Sequence, residues 1–151
     1  MKRRKIVMLI LGVVLAVGVA VTLYIIKEYN RIHKDTADLK PDYSVSAANM
    51  LQEFQTEEQS SNKKYWDKVV QVDGVVKDVS KDEKGFYSVI MGESSSMSSV
   101  RCSMDSVHNK EAEGIQKGSP ATIRGICAGF NADELLGSDI ILVRCVVIPQ
   151  K

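Results

Sequence analysis

A strand-like segment that carries a glycine on its apolar side, YWDKVVQVDGVVKDVS at residues 65–80, constrains the fold most strongly. Val70, Val72, Gly74 and Val76 share one parity and polar residues fill the other, which is the period of a strand with one buried face. A glycine at such a position permits the bulge by which a strand bends sharply. Sharply bent strands are typical of small closed barrels.

The rest of the chain supplies the other elements of such a barrel. Ser46 can cap a helix whose apolar face holds Ala47, Met50, Leu51 and Phe54. A serine-rich loop, read as a flexible connection, separates two of the strands, and a short helix interrupts the pattern after residue 104. Gly125 repeats the glycine on apolar parity and predicts a second bulge. Further strands are predicted at residues 86–92, 99–104, 120–130 and 139–149.

The order of these elements predicts a mainly β domain. A helix, three strands, a helical interruption and two strands give the connectivity of an OB-fold, a five-stranded Greek-key barrel. The third, fifth and fourth strands are neighbours in that barrel. A domain of this size buries roughly two-thirds of its unfolded surface, so its core needs no additional cross-links.

Four phrases carry a resemblance to a known family: KYWDKVVQVDGVVKDV, VRCSM, KGSPATIRGICAGF and ILVRCVVI. In this order and spacing, they resemble the tRNA_anti-like family of bacterial OB-fold proteins over Ser46–Ile148. The resemblance implies an OB-fold behind a leader or lipid anchor, with no established activity. The family name suggests nucleic-acid binding through kinship of fold, which does not by itself fix a function.

The first 26 residues predict a membrane anchor. Ile6–Ile26 holds 21 residues without a charge, roughly 30 Å as a helix, and four basic residues precede it. A signal peptide cleaved near Ala20 is the alternative, but the apolar run continues past that site. A lipoprotein anchor is excluded because no cysteine follows, so this chain departs from its family here. The segment is therefore read as an uncleaved signal-anchor.

Charge and composition predict the membrane orientation, the linker and the bounds of the folded domain. Four cations and the amino terminus precede the span and three cations follow it, which favours an N-terminus inside and a periplasmic C-terminal part. Residues 27–45 are polar and predict a linker, so the OB-fold domain is placed at residues 46–151. Positions 27–151 hold 16 basic and all 19 acidic residues, a net charge of −3. Nucleic-acid binders usually show a basic footprint instead.

The three cysteines have two interpretations. Cys102, Cys127 and Cys145 all lie on inward parity and fit buried small apolar residues. A disulfide between Cys127 and Cys145 is the alternative if the domain faces an oxidising compartment. The spacing fits no zinc site, and no metal or other cofactor is expected. His33 and His108 are read as solvated surface residues.

The outer face of the barrel carries the candidate ligand contacts. Arg101, Arg124 and Arg144 point outward from neighbouring strands and are predicted to form a short cationic row. This row is expected beside Ser99 and Ser103, and Phe86 and Ser88 face outward near the first turn. An aromatic side chain beside arginines suits stacked bases and phosphates. The competing interpretation is that the arginines are solvated or paired with acids such as Asp73. The acidic stretch Asn131–Glu134 at the usual binding mouth favours this second interpretation.

No catalytic motif is present in the sequence, so an enzyme ranks lowest among the functions considered. The sequence predicts a membrane-anchored, extracytoplasmic OB-fold binding module whose ligand is a protein or glycan at the cell envelope. A single-stranded nucleic-acid binder is the alternative, disfavoured by the acidic ectodomain. The sequence does not indicate the oligomeric state.

Overall fold

The structure, a computed structural model, describes residues 2–32, 34–133 and 135–149. His33 and Glu134, two residues named above, therefore lie outside the described residues. The chain divides into two compact units, Met1–Asp35 and Thr36–Lys151. The second unit thus includes residues 36–45, which precede the predicted start of the domain at residue 46.

The first unit is one long helix, α1, Lys2–Ile32. Its segment Ile6–Tyr29, 24 residues, is long and apolar enough to span a membrane by length and composition. A signal sequence has the same two properties. Within it, the hydroxyl of Thr22 donates to the carbonyl of Gly18 at 2.9 Å, which satisfies this polar side chain inside the helix.

The second unit contains two short helices and six strands. This unit also contains two 3₁₀ helices, Thr36–Asp38 and Asn109–Gly114. The helices and strands are α2 Ala47–Thr56, α3 Glu58–Tyr65, β1 Tyr43–Ser46, β2 Val69–Lys81, β3 Tyr87–Met91, β4 Ser99–Met104, β5 Pro120–Asn131 and β6 Asp139–Ile148.

Strands β2 to β6 form the closed five-stranded barrel that the sequence predicts. The sheet order is β1-β2-β3-β4-β6-β5, and β2 also pairs with β5, which closes the barrel. β2 is long enough to pair with two strands. Its part Val69–Val75 pairs with β5, and its part from Val76 to Lys81 pairs with β3. The neighbours of β6 are β4, in parallel, and β5, antiparallel. The OB-fold is confirmed.

β1 is the strand that the sequence pattern missed. It pairs in parallel with the start of β2, from Tyr43 opposite Val70 to Ser46 opposite Asp73. Its four residues are too few to show a clear alternation, and Pro41 just before them suggested a loop.

Helix α2 closes one end of the barrel. The side-chain oxygen of Ser46 accepts a hydrogen bond from the backbone N–H of Asn49 at 3.2 Å, as predicted for the cap. The four predicted apolar residues of this helix are all buried. Phe54 stacks on Phe130 of β5, with ring centroids 5.0 Å apart, and on Tyr65 at the end of α3, at 5.8 Å.

The two predicted glycine bulges have different outcomes. Gly125 lies at a register shift between β5 and β6, and a Cβ there would lie 2.5 Å from the sulfur of Cys145. The bulge predicted at Gly74 is wrong, because the shift in β2 falls between Val76 and Asp78. A Cβ on Gly74 would lie 3.0 Å from that of Ala47, so this glycine lets α2 approach the strand.

The serine-rich loop before β4 is built into the domain instead of connecting strands loosely. Ser98 and Ser99 are buried. The ammonium of Lys77 donates to the carbonyls of Ser96 and Ser98 at 2.7 and 3.2 Å. Lys77 can reach this loop because it is the residue displaced at the irregularity in β2.

Candidate binding face

Strands β3 and β4 bring three of the predicted contact residues together. Ser88 lies opposite Ser103, and Ile90 lies opposite Arg101 in the next register position. The residues between them, Val89 and Cys102, are fully buried, so this row points away from the core. The outer side of β3, β4 and β6 is called the binding face below.

Phe86 stands at one end of this face, directly before β3. Its side chain is 42% exposed. A carboxylate oxygen of Asp82 accepts hydrogen bonds from the backbone N–H groups of Lys84 and Phe86 at 2.9 and 2.8 Å, which fixes the turn. The Lys81 ammonium lies 4.7 Å from the ring centroid of Tyr87. Lys81 is therefore a cation beside Tyr87, the residue that follows Phe86, and the predicted set of arginines does not include it.

Arg101 stands at the other end and is paired with an acid. Its guanidinium lies 3.2 Å from Asp139, the first residue of β6. The hydroxyl of Ser99 donates to the other carboxylate oxygen of Asp139 at 2.5 Å. This contact explains why Ser99, predicted to point outward, is buried. The side chain of Arg101 remains 42% exposed, so its charge is offset but accessible.

Arg144 lies on β6 at an irregular backbone position. Its φ of +53° is the left-handed conformation that favours glycine. Both pairings of β6 shift register around this residue. Its guanidinium lies 3.5 Å from Asp105, which directly follows β4. The face thus holds Arg101 and Arg144, each beside a carboxylate.

Arg124 does not belong to the face, so the structure does not form the predicted row of three arginines. It lies opposite Gln71 of β2 and donates to that side chain at 3.0 Å. It also donates to the carbonyls of Ala37 and Leu39 at 3.2 and 2.8 Å. The segment after α1 therefore covers this arginine. Asp73 accepts from Thr122 at 2.6 Å instead of pairing with an arginine.

The three cysteines are free and buried. The proposed bridge between Cys127 and Cys145 is not formed in this structure. The irregularity in β6 places the sulfur of Cys145 over Gly125 and beside Cys102. Burial raises the pKa of Cys145 well above its usual value, and the neighbouring thiol of Cys102 adds to the rise. Burial also raises the pKa of Cys127.

His108 is not a freely solvated residue as predicted. Its side chain is 17% exposed, and its Nδ1 lies 2.6 Å from a carboxylate oxygen of Glu111. The other carboxylate oxygen of Glu111 accepts from the backbone N–H of Val147 at 3.1 Å. Within the described residues, no three His, Cys, Asp or Glu side chains are grouped so that they could hold a metal ion.

A polar hollow of about 480 Å³ lies between α2 and α3, away from the predicted residues. The Lys64 ammonium beside it contacts Glu53 at 2.7 Å and lies 4.6 Å from the ring centroid of Tyr65. The hydrogen bond from Lys64 lowers the pKa of Glu53, and the same bond raises the pKa of Lys64. This network ties α3 to α2.

The domain as a whole is acidic. Residues 36–151 hold 13 basic and 17 acidic side chains, a net charge of −4. In the predicted acidic mouth, one carboxylate oxygen of Asp133 accepts from the backbone N–H groups of Leu135 and Leu136, both at 2.8 Å. These bonds lower the pKa of Asp133 and keep it charged.

Comparisons with known proteins bear on the family and on the fold. A family model described as tRNA_anti-like matches residues 1–146. No curated protein sequence matches the chain. A "putative nucleic acid-binding lipoprotein" of Klebsiella pneumoniae has a similar structure, with 23% identity and a TM-score of 0.54, and the match covers 70% of this chain and 91% of that one. The identity is too low to show more than a shared fold.

An asparaginyl-tRNA synthetase of Entamoeba histolytica is a more distant match. It is 12% identical with a TM-score of 0.44, and the match covers 74% of this chain but only 25% of the synthetase.

Proposed function

This chain belongs to the tRNA_anti-like family, and on that premise we propose that it is a membrane-anchored, non-enzymatic binding module of the cell envelope. Its barrel stands outside the cytoplasm and contacts a partner through the binding face. The observation that carries this proposal is the pairing of Arg101 with Asp139 and of Arg144 with Asp105. With both arginines offset and a net charge of −4, the domain attracts phosphodiester chains poorly.

Of the two partner classes predicted, the face suits a protein better than a glycan. It presents hydroxyls and partly exposed aliphatic side chains, such as Ser88, Ser103, Ile90 and Ile141, between two offset arginines. Protein interfaces combine such apolar contacts with hydrogen-bonding groups at their rim. The aromatic platforms that commonly bind sugar rings need more than the half-exposed ring of Phe86.

The first unit supports the proposed anchoring and orientation. Ile6–Tyr29 has the length and composition of a span, and the excess of positive charge precedes it. Two measurements test this part of the proposal. The intact mass of the protein recovered from membranes distinguishes an uncleaved anchor from a chain cut near Ala20. Protease added to spheroplasts digests the barrel if it lies outside and spares it if it lies inside.

A single-stranded nucleic acid is the second candidate ligand, favoured by one specific observation. Phe86 is an accessible aromatic ring, and Lys81 and Lys84 lie close to it in the sequence. OB-folds bind single strands by stacking bases on such rings beside cations. The name of the Klebsiella lipoprotein points to the same ligand class.

Fluorescence anisotropy with the full chain in nanodiscs of zwitterionic lipid separates the two candidates. Labelled oligothymidine and oligouridine are titrated at low and at near-physiological salt. The proposed function predicts no saturable binding even at low salt. Binding that weakens steeply with salt, and is lost when Phe86→Ala, Lys81→Ala and Lys84→Ala are combined, would establish the second candidate in its place.

A further inference from the structure

Three large apolar side chains are exposed on two neighbouring loops, residues 92–98 and 132–138. Met97 is 63% exposed, Leu135 84% and Leu136 76%. These three residues are called the leucine tip. Apolar side chains that are grouped and exposed mark interaction sites more often than isolated ones do.

The two loops hold each other in place. Gly137, with a φ of +87°, packs against the backbone of Met97 so closely that a Cβ would lie 2.5 Å from its carbonyl carbon. The hydroxyl of Ser98 accepts hydrogen bonds from the backbone N–H of Ser138 and from the side chain of Gln55, both at 3.1 Å. The Ser98 hydroxyl therefore links α2 to both loops.

The Asp133 turn fixes the leucines themselves, because its carboxylate holds the backbone N–H groups of both. The tip is thus presented by preformed loops, and a surface that is already ordered loses less conformational entropy on binding.

The charge of the two loops narrows the choice of partner. Residues 92–99 and 131–139 contain four acidic residues and no basic one. Arg101 pairs with one of these acids, Asp139, and the Lys77 ammonium bonds the carbonyls of Ser96 and Ser98, so four negative and two positive charges leave a net charge of −2 around the tip. An anionic lipid surface attracts lysine and arginine clusters and repels carboxylates. A second copy of the same loops would bring like charges together. A protein surface with basic residues around an apolar pocket complements both properties of the tip.

The tip also adjoins the binding face. The loop that carries Leu135 and Leu136 runs directly into Asp139, the partner of Arg101. The leucines therefore lie three and four residues along the chain from the acid that pairs with Arg101 of the binding face.

We propose that the leucine tip is the apolar anchor of the interface, and that the partner protein presents an apolar pocket edged by lysine or arginine. This inference rests on the proposed function, because it takes the partner to be a protein. In interfaces of this kind, a few anchor side chains that fill pockets carry most of the binding energy.

Site-specific photo-crosslinking tests the proposal with the full chain in membranes of the organism that encodes it. A photoactivatable residue is placed in separate samples at Met97, at Ser88 on the face, and at Lys40, which is exposed in the segment that covers Arg124. The Met97 sample is repeated in a Leu135→Ser, Leu136→Ser background and in a Val107→Ser control. The crosslinked peptides of the partner are then sequenced by mass spectrometry.

The proposal predicts crosslinks from Met97 and not from Lys40, to a partner peptide that contains apolar residues and lysine or arginine. Yield falls about ten-fold in the double serine variant and is unchanged in the control. All variants retain the wild-type melting temperature, since the substituted side chains are exposed.

Other outcomes overturn it in distinguishable ways. Crosslinks from Ser88 but not from Met97 would agree with the proposed function and would contradict the role of the leucine tip as its apolar anchor. Crosslinks from Met97 to lipid, to a second copy of this chain, or to a peptide without basic residues overturn the stated partner, as does an unchanged yield in the double variant. If neither position crosslinks to any protein, the proposed function fails together with the inference.

Discussion

Arg124 and Arg101 occupy comparable positions on two sides of the same barrel and have different roles. Both side chains point outward from the barrel, Arg124 from β5 and Arg101 from β4. Arg124 is covered by the segment after α1 and donates to two of its carbonyls and to Gln71. Arg101 lies on the open face, where Asp139 offsets its charge and leaves 42% of the side chain exposed.

The difference shows that outward parity alone does not identify a ligand contact. A side chain that leaves the barrel can meet solvent or another part of the chain. On the covered side, the turn at Thr36–Asp38 and strand β1 take the place that a ligand would occupy. The open face lacks such a cover within the described residues, which is why the candidate contacts lie there.

The largest contrast between the core and the open face is expected in thiol labelling. N-ethylmaleimide should label Cys145 about 1,000-fold or more slowly than a cysteine introduced by Ser88→Cys. Cys145 is fully buried, and burial raises its pKa, so little thiolate is present at neutral pH. Mass spectrometry of digested protein at timed intervals measures both rates. Labelling of Cys145 at the rate of the introduced cysteine would contradict the placement of β6.

The same experiment in urea tests the redox state of the cysteines. All three should become labelled without a reductant, because they are free thiols in the structure. Failure of two of them to react until a reductant is added would establish a disulfide.

The next largest effect is expected at Gly125. Gly125→Val should lower the free energy of unfolding by about 3 kcal/mol or more, because its side chain would overlap the sulfur of Cys145 and crowd Leu142. Urea denaturation followed by tryptophan fluorescence measures the loss. Gly114→Ala is the matched control, since a Cβ there meets nothing within 4 Å. Equal losses at both positions would mean that the packing at Gly125 is not specific.

A smaller effect should separate the two arginines directly. Arg124→Met should lower the free energy of unfolding by about 2 kcal/mol, because it leaves the carbonyls of Ala37 and Leu39 without their donor. Arg101→Met should cost less than about 1 kcal/mol, as is usual for an exposed ion pair. Arg124→Met should also accelerate cleavage by proteinase K within residues 36–42, the segment that this arginine holds. If the two variants lose equal stability, the distinction between the sides is wrong.

The smallest effect concerns Glu53, on the helices beside the covered side. Its pKa is lowered from 4.5 by the hydrogen bond from Lys64, so the pair stabilises the fold above the unfolded-state pKa. That contribution should disappear as pH falls through the lowered value. Glu53→Gln should cost less than about 1 kcal/mol at neutral pH. The difference in melting temperature from wild type should vanish in acid, and a constant difference would rule out the ion pair as its source.

Sequence reasoning recovered the barrel because its signals are local and repeated. Alternation located β4 with both ends correct, and inward parity identified Val70, Val72 and Val76 as core. β1 escaped because four residues next to a proline show no reliable alternation. The sequence does not predict the bulge at Lys77, because a lysine, unlike a glycine, does not indicate an irregular backbone.

The candidate site was predictable only in part. Parity placed Ser88, Ser103 and Arg101 on one side of the sheet, where the structure has them. The cover over Arg124 depends on a segment 85 residues earlier in the chain, a contact that no local pattern encodes. The sequence pattern does not identify the leucine tip. The acidic residues of this stretch carry the prediction made for it, and the sequence gives no local sign that the two leucines are exposed.

The position of β6 has a consequence for the way the chain matures. β6 lies between β4 and β5 in the sheet, yet it is synthesised after every other strand of the barrel. Until it arrives, the first strands form an open sheet whose apolar side, lined by Val89, Val100 and Cys102, has no opposing layer. Long-range pairings of this kind delay folding until the segment has been made. Closure of the barrel therefore waits for its last strand, and a binding partner that shields this apolar side until β6 has been made should raise the yield of folded protein.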